Sequence, residues 1–101
     1  MGAREHTHML TVSDVRYSPA TRDDSAVGLL GYASFVVADV IVLDGVAIRR
    51  TRDGRIVLAF PVKHDRAGRE HSLVRPVSNA ARQAITRAVI EALQLRAEAP
   101  S

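Results

Sequence analysis

Apolar positions along this chain change their period once. Up to residue 60 they come in short valine- and isoleucine-rich runs, and from residue 79 onward they recur every three to four positions. Runs of the first kind, bounded by turn formers, predict strands. Residues 10–17 read as the first, with Leu10 and Val12 on one side and Val15 and Tyr17 nearer the other. Residues 18–25 are rich in charge and turn formers and read as a loop. A second strand is expected over 27–37, bent at Gly28 or Gly31, and Ala38-Asp39 provides a tight connection to a third over 40–48. Residues 49–54 turn the chain into a fourth strand, Ile56-Val57-Leu58-Ala59-Phe60, which Asp53-Gly54 and Pro61 flank. Residues 63–71 hold almost nothing to bury and must lie on the surface.

Ser72-Leu73-Val74-Arg75-Pro76 then leads to Ser78, a good N-cap, and a helix over 79–95. Ala81, Ala84, Ile85, Ala88, Val89, Ala92 and Leu93 form its apolar stripe, with Asn79, Arg82, Gln83, Thr86, Arg87 and Glu91 opposite. Ile85 and Val89 should meet the sheet beside Leu58 and Phe60. Ile90 falls outside the stripe and is available to a partner chain. Strands joined by short connections favour an antiparallel meander. The expected fold is therefore α+β: a small antiparallel β-meander of four to five strands packed on one C-terminal helix. Residues 10–95 make one domain, and 1–9 and 96–101 read as tails. Such a sheet leaves an edge and a face uncovered, a hazard that homodimerisation removes.

Composition narrows the class. The chain has 101 residues, enough for a single core, and its hydrophobic share of 47% argues against general disorder. Aromatics are only 4%, so that core is aliphatic. No apolar run approaches the roughly 18 to 20 residues that span a bilayer. The N-terminus has no apolar signal core, so a cytoplasmic location is the default. Without cysteine there is no disulfide, no thiolate catalysis and no cysteine-built zinc site.

Charge is unevenly placed. Residues 1–48 carry three basic and six acidic side chains, whereas residues 49–75 carry eight basic against three acidic. The cations cluster in the two loops flanking the fourth strand: Arg49, Arg50, Arg52 and Arg55 in one, Lys63, Arg66 and Arg69 in the other, with Arg75 beyond. This concentration suggests a polyanionic partner, although two solvated loops would show the same composition. No catalytic constellation accompanies it. There is no glycine-rich phosphate loop and no helical histidine pair at metal spacing. His64 and His71, with Asp65 and Glu70 beside them, could serve a nuclease only if a buried, tuned site held them, and a loop tip is a poor scaffold for one. His6 and His8 read as tail residues. Neither an enzyme nor a metal, cofactor or small-molecule substrate is expected.

Several stretches resemble one family. Val12-Ser13-Asp14-Val15-Arg16 is similar to V-T-D-V-R, and Tyr32-Ala33-Ser34 to Y-A-S. Ile41-Val42-Leu43-Asp44-Gly45 stands where members carry F-V-V-H-D or F-V-V-H-G, and Val57-Leu58-Ala59-Phe60-Pro61 resembles F-V-A-M-P. Lys63-His64-Asp65-Arg66-Ala67-Gly68 resembles R-K-x-x-D-G, and Arg75-Pro76-Val77-Ser78 stands in place of H-P-I-N. Arg82 and Ala88-Val89-Ile90 fit R-x-x-I-x-x-A-V-L. The order and spacing of these motifs resemble the SpoVG (stage V sporulation protein G) family of small bacterial regulators. Two family histidines are replaced here, by Asp44 and Arg75, and the acidic tail of many members is absent.

The resemblance implies a meander on a C-terminal helix, homodimerisation, and binding to DNA, with RNA bound by some members. It also implies a role in septation and developmental gene control. The expected nucleic-acid residues are Lys63, His64, Arg66, Arg69, Arg75, Asn79, Arg82 and Gln83, with Arg49, Arg50, Arg52 and Arg55 as a secondary basic patch. On the helix, Asn79, Arg82 or Gln83 could read base edges, whereas a flexible basic loop could only approach phosphate. The alternative is a non-catalytic protein–protein adaptor in division or development, acting through sheet edges and Ile90.

Overall fold

The computed structural model describes residues 10–94. The two expected tails, with His6 and His8, and residue 95 of the expected helix lie outside the described residues. The chain runs β1 (Val12–Pro19), α1 (Arg22–Ala26), β2 (Leu29–Val37), β3 (Ile41–Arg50), β4 (Ile56–Ala59), β5 (Val62–His64), β6 (Glu70–Ser72) and α2 (Asn79–Leu93). Strands β1 to β4 form one antiparallel sheet in sequential order, the expected meander, and α2 packs across it. Strands β5 and β6 form a separate two-stranded ribbon.

The β2–β3 hairpin turns on Ala38 and Asp39, both left-handed at φ 57° and 60°. That pair of conformations matches the twist of the strands it joins, and Val40 N–H closes it onto the Val37 carbonyl at 3.1 Å. Elsewhere the register slips. Between Ser13 and Arg16 an extra residue bulges out of β1, with Asp14 at φ 49°. This bulge corrects the expected facing of β1: Val12, Val15 and Tyr17 all pack against the core instead of dividing between faces. Tyr17 also donates its hydroxyl to the Leu30 carbonyl at 2.7 Å. A second irregularity lies at Asp44-Gly45 in β3, where Gly45 has φ 67° and donates its N–H to Asp44 Oδ1 at 2.9 Å.

Directly paired residues share a face, so the register sorts the sheet into rows. One row joins Tyr17, Ala33 and Val46, and the next joins Gly31, Ile48 and Leu58. These face α2, where Phe35, Val46, Ile48 and Val89 are almost wholly buried. The alternate row, Ser18, Tyr32, Ala47 and Ala59, lies on the opposite face.

Two local readings need correction. The expected loop over 18–25 contains the short helix α1, whose Thr21 hydroxyl caps the Asp24 N–H at 3.2 Å. Helix α2 begins at Asn79 as expected, with the Ser78 hydroxyl accepting from Ala81 N–H at 3.1 Å, and ends at Gln94 with φ 56°. Ile85 and Val89 are buried against Leu58 and near Phe60. Ile90, expected to face a partner, also packs against the core, and Ala92 is exposed instead. The helix is thus rolled toward Ile90, because the larger side chain buries more apolar area than an alanine does. Among the described residues, no helix is long and apolar enough to cross a membrane.

Candidate nucleic-acid interface

The ribbon pairs Val62 with Ser72, Lys63 with His71 and His64 with Glu70. Its tip is built around one carboxylate. Asp65 accepts from the Ala67 and Arg69 N–H groups at 2.9 Å each, from Arg69 Nε at 3.0 Å, and it meets His71 Nε2 at 2.9 Å. The His71 contact, then the Arg69 N–H, hold its carboxyl below the ordinary value of 3.8. Gly68 takes φ 83° to close the turn. The expectation of a flexible loop is therefore corrected to a turn held by hydrogen bonds. Arg69 is engaged in that turn, and His64 lies 3.9 Å from Glu70 Oε1. Lys63 and Arg66 are exposed and form no ion pair among the described residues.

The ribbon closes at its root, where Leu73 N–H bonds the Pro61 carbonyl at 3.3 Å. Residues 73–78 then lead into α2. Arg75 on this linker is exposed, again with no ion pair among the described residues. Asn79 and Gln83 are exposed on the first turns, and the Asn79 and Ala80 N–H groups are left for an outside acceptor. Arg82 behaves differently. It reaches back to the sheet, donates Nη1 to the Leu58 carbonyl at 3.2 Å, and lies over the Phe60 ring at 5.5 Å. Its aliphatic stem and planar head fasten α2 to β4, an edge strand. Phe60 immediately precedes the ribbon root, so this contact sets the start of α2 beside it.

The four arginines of the secondary patch are held differently. Arg49 donates to the Val27 carbonyl at 3.2 Å, and Arg55 pairs with Asp53 at 3.1 Å. Asp53 also accepts from the Thr51 hydroxyl, the main cause of its lowered pKa. Arg50 and Arg52 line a cleft of about 500 Å³ with Ser25, Val27 and Leu30. This patch sits at one end of β4 and the ribbon at the other. Lys63, Arg66, Arg75, Asn79 and Gln83 thus belong to the ribbon, linker and helix start, while Arg49, Arg50, Arg52 and Arg55 do not join them. Sequence reasoning missed Asp65 as the organiser of the tip. Its spacing to Ala67 and Arg69 was the available signal, because aspartate commonly bonds N–H groups just beyond itself.

Among the described residues, no group of three or more histidine, aspartate or glutamate side chains is placed to hold a metal ion. No curated protein matches the chain. The family model for SpoVG matches residues 10–94, the whole of the described fold, and the chain belongs to the SpoVG family.

Proposed function

We propose that the chain is a dimeric, non-catalytic regulator that binds nucleic acid through the ribbon, the linker and the start of α2. Family membership suggests a regulator linked to sporulation or septation. The observation that supports binding is the contact of Arg82 with Phe60: it joins the first turns of α2 to the residue that precedes the ribbon, so that Lys63 and Arg66, exposed and without an ion pair among the described residues, and the helix N-terminus leave the sheet from neighbouring points. Both features suit phosphate, the first by charge and the second by directed donors. Because Arg82 is occupied with Leu58 and Phe60, base reading falls to Asn79 and Gln83, whose amides match adenine edges.

Dimerisation rests on a different set of residues. Leu73 and Val77 on the linker are 62% and 95% exposed, and the ribbon forms no sheet with β1 to β4. An isolated two-stranded ribbon is marginal in water, so a second copy seated on this segment would support it. The same exposed residues are what an adaptor would use.

A salt titration on a duplex separates the two readings. Replacing Lys63, Arg66 and Arg75 with alanine should weaken binding to all sequences alike. The slope of log affinity against log salt should flatten by about one for each phosphate that is no longer neutralised. A wild-type slope near zero would favour the adaptor.

A further inference from the structure

The face of the sheet turned away from α2 has a distinct composition. Its central row is Ser18, Tyr32, Ala47 and Ala59, in direct register across all four strands. Tyr32 is the large side chain of that row, is 49% exposed, and enters no hydrogen bond among the described residues. Neighbours as small as serine and alanine cannot cover a phenol ring, so it stays open to a planar partner. Arg16 stands in the row on one side, paired with Ser34; on the other side Arg49 follows Ala47 by two residues and pairs with Val57, and with Leu29 across an irregularity in β2. Beside the ring lies a depression of about 200 Å³ lined by Arg16, Ser18, Ser34 and Asp44 as well as Tyr32.

We propose that this face is a second nucleic-acid surface, one that takes single strands by stacking an unpaired base on Tyr32. Stacking on an exposed aromatic is tolerant of sequence, because every base presents a π-face. Arg16 and Arg49 flank the ring, so a strand crossing the sheet meets a cation on each side of the stacked base. Arg16 lies 3.3 Å from Asp14, but both are well exposed, and such a surface pair yields readily to a phosphate. Arg49 holds the Val27 carbonyl through one nitrogen. The hydroxyls of Ser18 and Ser34 and the Asp44 carboxylate give the depression donors and acceptors for a base edge, and Asp44 disfavours a phosphate there. The backbone is thereby directed to the arginines and the base to the hollow. A second copy of the chain is a poorer occupant, since the row offers it one ring among small side chains. Val27, Val40, Ile41, Val42, Leu73 and Val77 are more exposed and lie outside this row, Val42 standing opposite Val36 toward the β2–β3 hairpin.

The proposal goes beyond duplex binding at the ribbon and can fail separately from it, because α2 packs on the other face. The chain has no tryptophan, so Tyr32→Trp introduces a single indole reporter. Its emission should be quenched by oligo-U or oligo-dT at protein concentrations where it is otherwise constant. By anisotropy with the same labelled strands, Tyr32→Leu should weaken binding about tenfold or more, as expected for the loss of one stacked base. Tyr32→Phe should retain it. Duplex affinity of Tyr32→Leu should equal that of the wild type, and the two arms of the titration report any preference between RNA and DNA. The proposal is overturned if Tyr32→Leu binds single strands as the wild type does, or if added strands leave the indole unchanged. It is equally overturned if the indole responds to protein dilution alone, which would assign the face to a second copy.

Discussion

The four-stranded sheet with α2 and the β5–β6 ribbon are held together by different physics. In the sheet, Phe35, Val46, Ile48 and Val89 are almost wholly buried, and each strand pairs over most of its length. In the ribbon every strand residue is exposed, three residue pairs form the ladder, and one carboxylate organises the tip. The first region is stabilised by apolar area removed from water, the second by local hydrogen bonds between groups that water also reaches. The core and the candidate duplex-binding ribbon are therefore separable, although the start of α2 and the outer face of the sheet also carry exposed residues proposed to bind. Changes to the core should unfold the protein, and changes to the ribbon should alter what it binds.

The largest effect should come from the core. Phe35→Ala should cost about 3 to 5 kcal/mol in chemical denaturation, through reduced burial and the cavity left behind. A much smaller cost would mean that the sheet and helix do not share the core described.

Next comes the joint between the two regions. Arg82→Ala removes a hydrogen bond to the Leu58 carbonyl and a cation over Phe60, and should cost roughly 1 to 2 kcal/mol. If Arg82 instead pointed outward to read bases, the substitution would leave stability unchanged and reduce only the advantage of a preferred duplex.

The smallest effect on stability should come from the tip. Asp65→Ala should leave the global unfolding midpoint unchanged while amide exchange at Ala67 and Arg69 quickens. The pH dependence has a definite sign. A carboxyl held below 3.8 contributes fully above that ordinary value, and its contribution disappears as pH falls through the lowered one. Exchange at the tip should thus be protected at neutral pH and lost only in acid below 3.8, well before the sheet opens.

Much of this was legible in the sequence, and the exceptions have physical causes. The strands and the start of α2 follow from β-branched runs, turn residues and Ser78. The facing of β1 could not follow from alternation, because a bulge at Asp14 breaks the period of two. Helix α1 was hidden because none of its residues is buried, so it has no apolar stripe to detect. Thr21 with Asp24 three residues on was its one signal. The ribbon strands are three residues each, too short for alternation to register. Of the site, the exposed cations Lys63, Arg66 and Arg75 were legible from composition. The tether of Arg82 was not: the residue stays exposed, and only the folded chain brings Phe60 beneath its guanidinium.

Amide exchange of the full chain with and without a bound duplex tests the separation of the two regions most directly. Protection should rise over residues 62–72 and at the first turn of α2, while β2 and β3 keep the rates of the unbound protein. A uniform rise across the sheet, or none in the ribbon, would contradict it.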